Sequence, residues 1–360
     1  MSRTGVTAII LHPEAPTESD PLVRAVTSAR VRLAERHRDG FLDAGADAAR
    51  ILAGVPDAIP FGARLRAIVA DIPPDQGLIV LGSGAIPLAT RRDRARFVGA
   101  AAGGSAGRAL ANNRYSADIV AIPAARSRLA GLPDLPTDNA LPRWLAAVAG
   151  MPVDDLATSW RLAMDIDTAL DLLLLGGAWA AALPPADRAR VDDRVARIRA
   201  VVADARSELV VAGRSSPATL AWLAAATASR TRGLIEERGL RTSQPGQRPP
   251  ASVLGMVLDR AGPASLGAHL ARLGEAAIVD TRVLLAHRLG ADQARWPSDA
   301  DRFASDLLLH ERVADPWLRD LTRSAAEASI PVLLGAHSLV GPGLHLLLGP
   351  PRPTPPVRQR

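Results

Sequence analysis

Short apolar runs alternate along this chain with segments whose apolar residues recur at helical spacing. Val6–Leu11, Gly77–Leu81 and Leu209–Ala212 are runs of the first kind, whereas Leu22–Arg38 and Ala186–Ala205 are segments of the second kind. A short apolar run is typical of a buried strand, and a 3.6-residue apolar repeat is typical of an amphipathic helix. Their alternation favours a mostly parallel sheet with helices on both faces. The sequence therefore predicts an α/β protein.

The length of 360 residues is enough for about two domains of ordinary size. Pro184-Pro185 precedes a long charged segment with helical spacing, which marks a change of unit. We predict a first domain over residues 1–180 and a second α/β domain of unassigned type over residues 186–350. The Pro-rich residues 351–360 are predicted to be a disordered tail.

Two residue types are missing, and each absence excludes a class of chemistry. The chain has no Cys, which excludes disulfides, thiolate zinc sites and cysteine nucleophiles. It has no Lys either, so all 43 basic residues are Arg. A Walker A loop and a Schiff-base enzyme both need a lysine amine. The sequence therefore excludes these two classes as well.

The charge pattern bears on partners and location. The net charge is +6, but acidic residues interleave with Arg, as at Asp187–Arg190. A nucleic-acid interface would show a basic block with interleaved aromatics instead. The longest apolar stretch, Leu170–Leu183, is short for a bilayer span, and the first residues lack a signal-peptide pattern. We expect a cytoplasmic protein with no membrane or nucleic-acid partner; the pattern leaves the oligomeric state open.

One motif is specific enough to suggest a family. Asp165-Ile-Asp167-Thr-Ala-Leu-Asp171-Leu resembles the Asp-x-Asp-Thr-Pro-x-Asp-Leu pattern of small nucleotidyltransferases, with Ala169 in place of Pro. That family includes 2-phospholactate guanylyltransferase and the molybdenum-cofactor guanylyltransferase. Weaker similarities precede the motif in the expected order, at Val6–Leu11, Leu78–Leu88, Leu110–Ile122 and Asp138–Gly150. The resemblance covers roughly residues 5–178.

The resemblance implies a nucleotidyltransferase-like (GT-A-like) three-layer domain that acts on a small phosphorylated metabolite. It implies a nucleoside triphosphate as substrate and Mg²⁺ held by Asp165 and Asp167. The Gly82-Ser83-Gly84 turn is expected to approach the base or ribose.

Each of these positions also has a structural interpretation. If Asp165 and Asp167 lie on a strand over Arg161–Ile166, their side chains share a face and suit a metal. Alternatively, Asp167 and Thr168 cap the next helix. Asn112 and Asn113 either read a base edge or phosphate, or form a polar turn. The Gly-x-Gly turn is itself common after strands.

Two departures from the family pattern favour a second hypothesis. The family's first strand runs into a Gly-rich loop with Arg and Lys, whereas His12–Asp20 is acidic and contains neither Gly nor Arg. The metal-binding Asp expected near Gly82–Pro87 is also missing. Two-metal transfer needs carboxylates from two places. The alternative is a catalytically inactive scaffold whose ligand-binding or regulatory site lies in the second domain.

The second half offers its own candidate sites at the ends of predicted strands. Arg214 and Ser215, followed by Pro217, either bind an anion at a helix start or only cap that helix. Three further polar clusters, Glu236–Arg238, Asp280–Arg282 and Gly335–Ser338, end other predicted strands. Together they suggest a shared cleft, in which Arg214 would anchor a phosphorylated ligand. A Ser215, His337 and Asp280 triad lacks the Gly-x-Ser-x-Gly elbow and is disfavoured.

Overall fold

A computed structural model describes residues 4–14, 20–55, 57–240 and 246–349. The described residues form two compact units, the first ending at Asp167 and the second beginning at Thr168. The predicted division at residues 180–186 therefore lies within the second unit. The predicted tail, residues 351–360, lies outside the described residues.

The first unit contains a mixed sheet flanked by helices. Its strands are β1 (Val6–Pro13), β2 (Ala48–Gly54), β3 (Gly77–Gly82), β4 (Ala109–Ala111), β5 (Ile119–Ile122) and β6 (Val153–Asp155). Its helices are α1 (Pro21–Asp43), α2 (Phe61–Ala70), α3 (Arg91–Ala101), α4 (Ala125–Arg128) and α5 (Leu141–Ala147). The strand order is β2-β1-β3-β5-β4-β6, and β5 is antiparallel to both of its neighbours. The predicted α/β class is confirmed, although β5 makes the sheet mixed.

Apolar side chains cover both faces of this first sheet. Alternate residues of a strand point to opposite faces, and Ile10 of β1 packs in one cluster with Phe41 of α1 and Phe97 of α3. Ile9 packs in the other cluster with Leu65 of α2. The first unit therefore has three layers, with the sheet between two layers of helices.

The second unit contains a four-stranded parallel sheet. Its strands are β7 (Glu208–Gly213), β8 (Arg230–Ile235), β9 (Ala276–Asp280) and β10 (Val332–Gly335). Its helices are α6 (Ala169–Leu175), α7 (Gly177–Ala180), α8 (Pro185–Val202), α9 (Pro217–Ala226), α10 (Val253–Ala261), α11 (Leu266–Ala271), α12 (Thr281–Leu289), α13 (Asp299–Asp306), α14 (Pro316–Ala326), α15 (His337–Val340) and α16 (Pro342–Leu348). The strand order is β10-β9-β7-β8, so β8 and β9 lie on opposite sides of β7.

The strand predicted over Arg161–Ile166 is wrong. Trp160–Ala163 forms a single 3₁₀ turn, and Asp165 then makes an isolated antiparallel bridge with Ala85. Leu162, Met164 and Ile166 are buried and alternate with less apolar positions, which imitates the period of a strand. The short strands β4 and β6 were not predicted, because three residues carry too little periodicity to detect.

The apolar stretch Leu170–Leu183 is broken in the middle. Its two short helices, α6 and α7, meet at Gly176, which has a φ of 69°. No helix in the described ranges is long and apolar enough to cross a membrane.

Candidate functional site

The first sheet has a topological switch at β1. The chain adds β2 on one side of β1 and β3 on the other, and all three strands are parallel. In open α/β sheets, ligands bind outside the carboxyl ends of the strands at such a switch. We call the polar residues around this crevice the β1/β3 edge; they are His12, Arg30, Ser83, Gly84, Asp165 and Asp167.

A histidine and a serine join the ends of the two strands. His12 Nδ1 lies 3.0 Å from Ser83 Oγ, and both residues are buried. Burial and the nearby Arg30 charge lower the pKa of His12, so its imidazole is neutral at pH 7. Ser83 therefore lies just after the carboxyl end of β3, and its hydroxyl already contacts a histidine. The ligand contact that the sequence predicts for the Gly82–Gly84 turn stays a prediction.

Gly84 allows residues 165–167 to approach closely. A Cβ atom at Gly84 would lie 2.7 Å from the Ile166 carbonyl oxygen and 3.2 Å from Arg30 Nε. The Ile166 amide also donates to the Gly84 carbonyl at 2.9 Å. Gly82 has no comparable constraint, since a Cβ there would meet open space. The predicted turn is thus a docking point for residues 165–167.

Asp165 and Asp167 lie close together even though they are not on a strand. One carboxylate oxygen of each residue lies within 4.8 Å of the other. Asp165 is buried, whereas the Asp167 side chain is 24% exposed and accepts a hydrogen bond from Arg30 Nη2 at 2.9 Å. The next helix is capped by Thr168 in a reciprocal box with Asp171. The cap predicted for Thr168 is therefore confirmed, while the Asp167 carboxylate bonds Arg30.

Arg30 and His12 are the residues of this edge that the sequence did not identify, and a signal existed for Arg30. Arg30 Nε donates to the Ile166 carbonyl at 2.6 Å, so one guanidinium spans both Ile166 and Asp167. A signal was present, because Val26 and Ala34 lie four residues before and after Arg30 on α1, and both are buried. This spacing places Arg30 on the inward face of the helix rather than among its solvated arginines.

Asn112 has a structural position in the sheet. Its Oδ1 accepts from the Asp118 amide at 3.0 Å, and its Nδ2 donates to Asp118 Oδ2 at 2.8 Å and to the Leu162 carbonyl at 2.9 Å. Asn113 accepts from the Tyr115 amide at 2.9 Å, which closes a polar turn. A base contact by Asn112 would have to replace these bonds, so the turn interpretation is favoured at both positions.

A buried histidine contacts the turn against which residues 165–167 pack. His37 Nε2 donates to the Ala85 carbonyl at 2.7 Å, and Ala85 is the bridge partner of Asp165. Burial lowers the pKa of His37 to about 3, so the ring is neutral in the folded protein. Its Nδ1 is buried and has no hydrogen-bond partner among the residues that the structure describes. His37 therefore fixes the turn on which the acidic segment docks.

The second sheet has a corresponding switch between β7 and β9, and the polar groups there bond to one another. We call this group the β7/β9 edge; it consists of Arg214, Ser215, Asp280, Thr281 and Arg282. Arg214 Nε and Nη2 donate to the two Asp280 carboxylate oxygens at 2.6 and 3.1 Å. Burial opposes the charge on Asp280, but Arg214 holds the pKa of that carboxyl below its usual range. The predicted anion anchor is thus already paired.

The other charges of the β7/β9 edge are also paired. Arg282 Nη2 donates to Asp306 Oδ2 at 2.7 Å, and Thr281 Oγ1 donates to the Gly335 carbonyl at 3.2 Å. The Ser215 hydroxyl differs, since it is fully buried and makes no hydrogen bond within the described part of the chain.

At the end of β8, Glu236 is also used internally. Its carboxylate accepts from Ser252 Oγ and from the Val253 amide at 2.6 Å each, at the start of α10. Two of the predicted strand-end clusters therefore serve mainly to join strands and start helices. His287 Nδ1 accepts a hydrogen bond from the Ser252 amide at 3.2 Å.

The comparisons with known proteins add no relative. No protein-family model matches the chain, and no curated protein sequence is significantly similar to it. The functional assignment therefore rests on the residues of the two edges and on their geometry.

Proposed function

We propose that the first unit binds a nucleoside triphosphate with Mg²⁺ at the β1/β3 edge and transfers its nucleotidyl group to the phosphate of a small phosphorylated metabolite. The bond between the α- and β-phosphates breaks, and pyrophosphate leaves. The observation that carries this proposal is the docking of Asp165 and Asp167 against the Gly84 turn. That contact brings two carboxylates to the switch point of the sheet, where ligands of α/β proteins bind.

The donor set fits magnesium. Mg²⁺ prefers carboxylate oxygens and keeps several waters, and it is commonly bound by one or two carboxylates together with substrate phosphates. Asp165 and Asp167 supply such a pair, and Asp167 remains partly exposed. When bound there, the ion would offset the negative charge of the phosphates. Arg30 competes with it for Asp167, so we expect the pair to shift when the metal binds.

A second candidate function is an inactive nucleotidyltransferase-like scaffold with a ligand site in the second unit. The observation that favours it is the carboxyl end of β3, where Ser83 bonds His12 and no carboxylate follows within the turn. In the second unit, the buried Ser215 hydroxyl, which makes no hydrogen bond within the described ranges, would contact the ligand.

The test is a thermal-shift titration with each nucleoside triphosphate, with and without Mg²⁺. It compares the wild type with the double variant Asp165→Asn/Asp167→Asn. The matched control is Asp154→Asn, since Asp154 is an exposed carboxylate of the same unit that also pairs with an arginine. We expect one triphosphate to raise the melting temperature in the presence of Mg²⁺ in the wild type and the control.

The double variant should lose this shift. If a triphosphate stabilises the wild type and the double variant equally, Asp165 and Asp167 do not belong to its binding site. If no triphosphate shifts the wild type at millimolar concentration, the transferase proposal fails. The second unit would then become the place to search, beginning with Ser215→Ala.

A further inference from the structure

At the β1/β3 edge, one side-chain nitrogen of Arg30 and one of His12 make no hydrogen bond within the described part of the chain. Arg30 uses Nε and Nη2, and within the described residues its Nη1 makes no hydrogen bond. His12 uses Nδ1 toward Ser83, and in the same part of the chain its Nε2 makes none. A guanidinium with a free end and an imidazole with a free nitrogen both suit an oxyanion.

These two side chains lie on the same turn. His12, near the end of β1, contacts Ser83, which directly follows β3. Arg30 Nε lies 3.2 Å from the position of a Cβ atom at the next residue, Gly84. The groups that act on His12 are Ser83, Arg30 from α1 and Glu14, which follows β1.

The charges of this edge restrict what kind of anion it accepts. Asp165 and Asp167 outweigh Arg30, and Glu14 adds an exposed negative charge nearby. A polyphosphate by itself would therefore be repelled, whereas a divalent cation on the two aspartates would reverse the sign of the field. The anion that fits is one that arrives with its own divalent cation.

We propose that Arg30 and His12 form the phosphate-binding face of this crevice and hold a phosphate group of a metal-bound triphosphate. In the family pattern a basic Gly-rich loop binds the triphosphate, but His12–Asp20 is acidic in this chain. Arg30 and His12 would take the place of that loop. This inference rests on the proposed function, because it assumes that the acid pair binds the metal. A phosphate beside His12 favours the charged imidazole, so binding takes up a proton.

The test uses inorganic triphosphate with Mg²⁺, because this probe has no base or sugar and reports on the phosphate contacts alone. Isothermal titration calorimetry compares the wild type with Arg30→Gln, His12→Gln and the control Arg32→Gln. Arg32 is an exposed arginine on the same helix. Loss of a hydrogen bond to a charged group costs about 1.5–3 kcal/mol, so we expect Arg30→Gln to bind roughly tenfold or more weakly.

His12→Gln should weaken binding by a smaller factor and change its pH dependence. The wild type is expected to bind more tightly as the pH falls from 8 to 6 and to take up a proton, measured in two buffers of different ionisation enthalpy. His12→Gln should show less proton uptake and a weaker pH dependence than the wild type, and what remains belongs to the triphosphate itself. Arg32→Gln should behave like the wild type.

Mn²⁺ binding, followed by electron paramagnetic resonance, separates this inference from the proposed function. Arg30→Gln and His12→Gln should still bind Mn²⁺, which also shows that they are folded, whereas Asp165→Asn/Asp167→Asn should not. If both single variants bind triphosphate as the wild type does, the phosphate face lies elsewhere and the proposed function survives. If the wild type binds neither Mn²⁺ nor triphosphate, both proposals fail.

Discussion

Both sheets carry polar residues at the switch point of their strand order, but these residues are used differently. At the β7/β9 edge, the side chains of Arg214 and Asp280 are 8% and 0% exposed, and they neutralise each other. At the β1/β3 edge, Arg30 and Asp167 are each 24% exposed. An ion pair that is buried and fully hydrogen-bonded fixes structure, whereas one that reaches solvent can exchange partners. Strand-end position alone therefore does not identify a ligand site; accessibility of the polar groups must accompany it.

The largest loss of stability is expected when an ion pair of the β7/β9 edge is broken. Asp306→Ala leaves the Arg282 guanidinium buried without its carboxylate, and losing one partner of a buried pair costs about 3–5 kcal/mol. The free energy of unfolding from urea denaturation measures this loss. Replacing both residues, as in Arg282→Met/Asp306→Leu, should recover much of it.

The matched comparison is Asp154→Ala, which breaks an exposed pair with Arg108 in the first unit. Exposed pairs contribute about 0–1 kcal/mol, so this variant should stay within about 1 kcal/mol of the wild type. Equal losses in the two variants would contradict the claim that the second edge is structural.

The next effect is a pH dependence in the first unit. The pKa of His37 is about 3 in the folded protein and 6.5 in the reference state, so the unfolded chain takes up the proton first. Stability is therefore fully present above pH 6.5 and is lost as the pH falls toward 3. Between pH 7 and pH 4, this residue should account for roughly 3 kcal/mol.

His37→Gln keeps an amide that can donate to the Ala85 carbonyl and removes this titration. The difference between the wild-type and variant unfolding free energies should therefore shrink on acidification. His345→Gln is the companion variant, because burial lowers the pKa of His345 to about 4, a smaller shift. If wild type and His37→Gln lose stability in parallel, His37 is not buried neutral beneath the acidic segment.

A smaller effect is expected at Asn112. Asn112→Ala removes hydrogen bonds to Asp118 and to the Leu162 carbonyl, and an unsatisfied buried group costs about 1–3 kcal/mol. If Asn112 is structural, thermal stability falls and the affinity for different bases falls uniformly or not at all. A change in preference between purine and pyrimidine triphosphates at unchanged stability would restore the base-reading interpretation.

The smallest stability effect is expected at Ser215. Within the described residues its buried hydroxyl makes no hydrogen bond, which is itself unfavourable, so Ser215→Ala should leave the free energy of unfolding unchanged or raise it by about 1 kcal/mol. Chemical denaturation measures this directly. A loss of several kcal/mol would show that Ser215 belongs to the packed network of the second edge.

Local patterns predicted the elements well, because helices and strands depend on near neighbours in the sequence. The cap at Thr168 is an example, since Thr168 and its partner Asp171 lie three residues apart. The Asp-x-Asp motif likewise pointed to a pair of carboxylates that the fold brings together, although not on the predicted strand.

Long-range pairs could not be predicted from such patterns. Arg30 and Asp167 are separated by 137 positions, and Arg214 and Asp280 by 66. For this reason Arg214 was predicted to be a free anion anchor, and Arg30 was not predicted to be a site residue. The spacing of buried residues on α1 indicates that Arg30 faces inward. Its partner, Asp167, could be identified only from the folded structure.

One measurement tests the difference between the two edges most directly. It is a calorimetric titration of a magnesium–nucleoside triphosphate into wild type, Asp165→Asn/Asp167→Asn and Ser215→Ala. We predict binding to the wild type and to Ser215→Ala, with at least a tenfold loss in the aspartate variant. Binding that survives in the aspartate variant and is lost in Ser215→Ala would place the nucleotide in the second unit and contradict the proposed site.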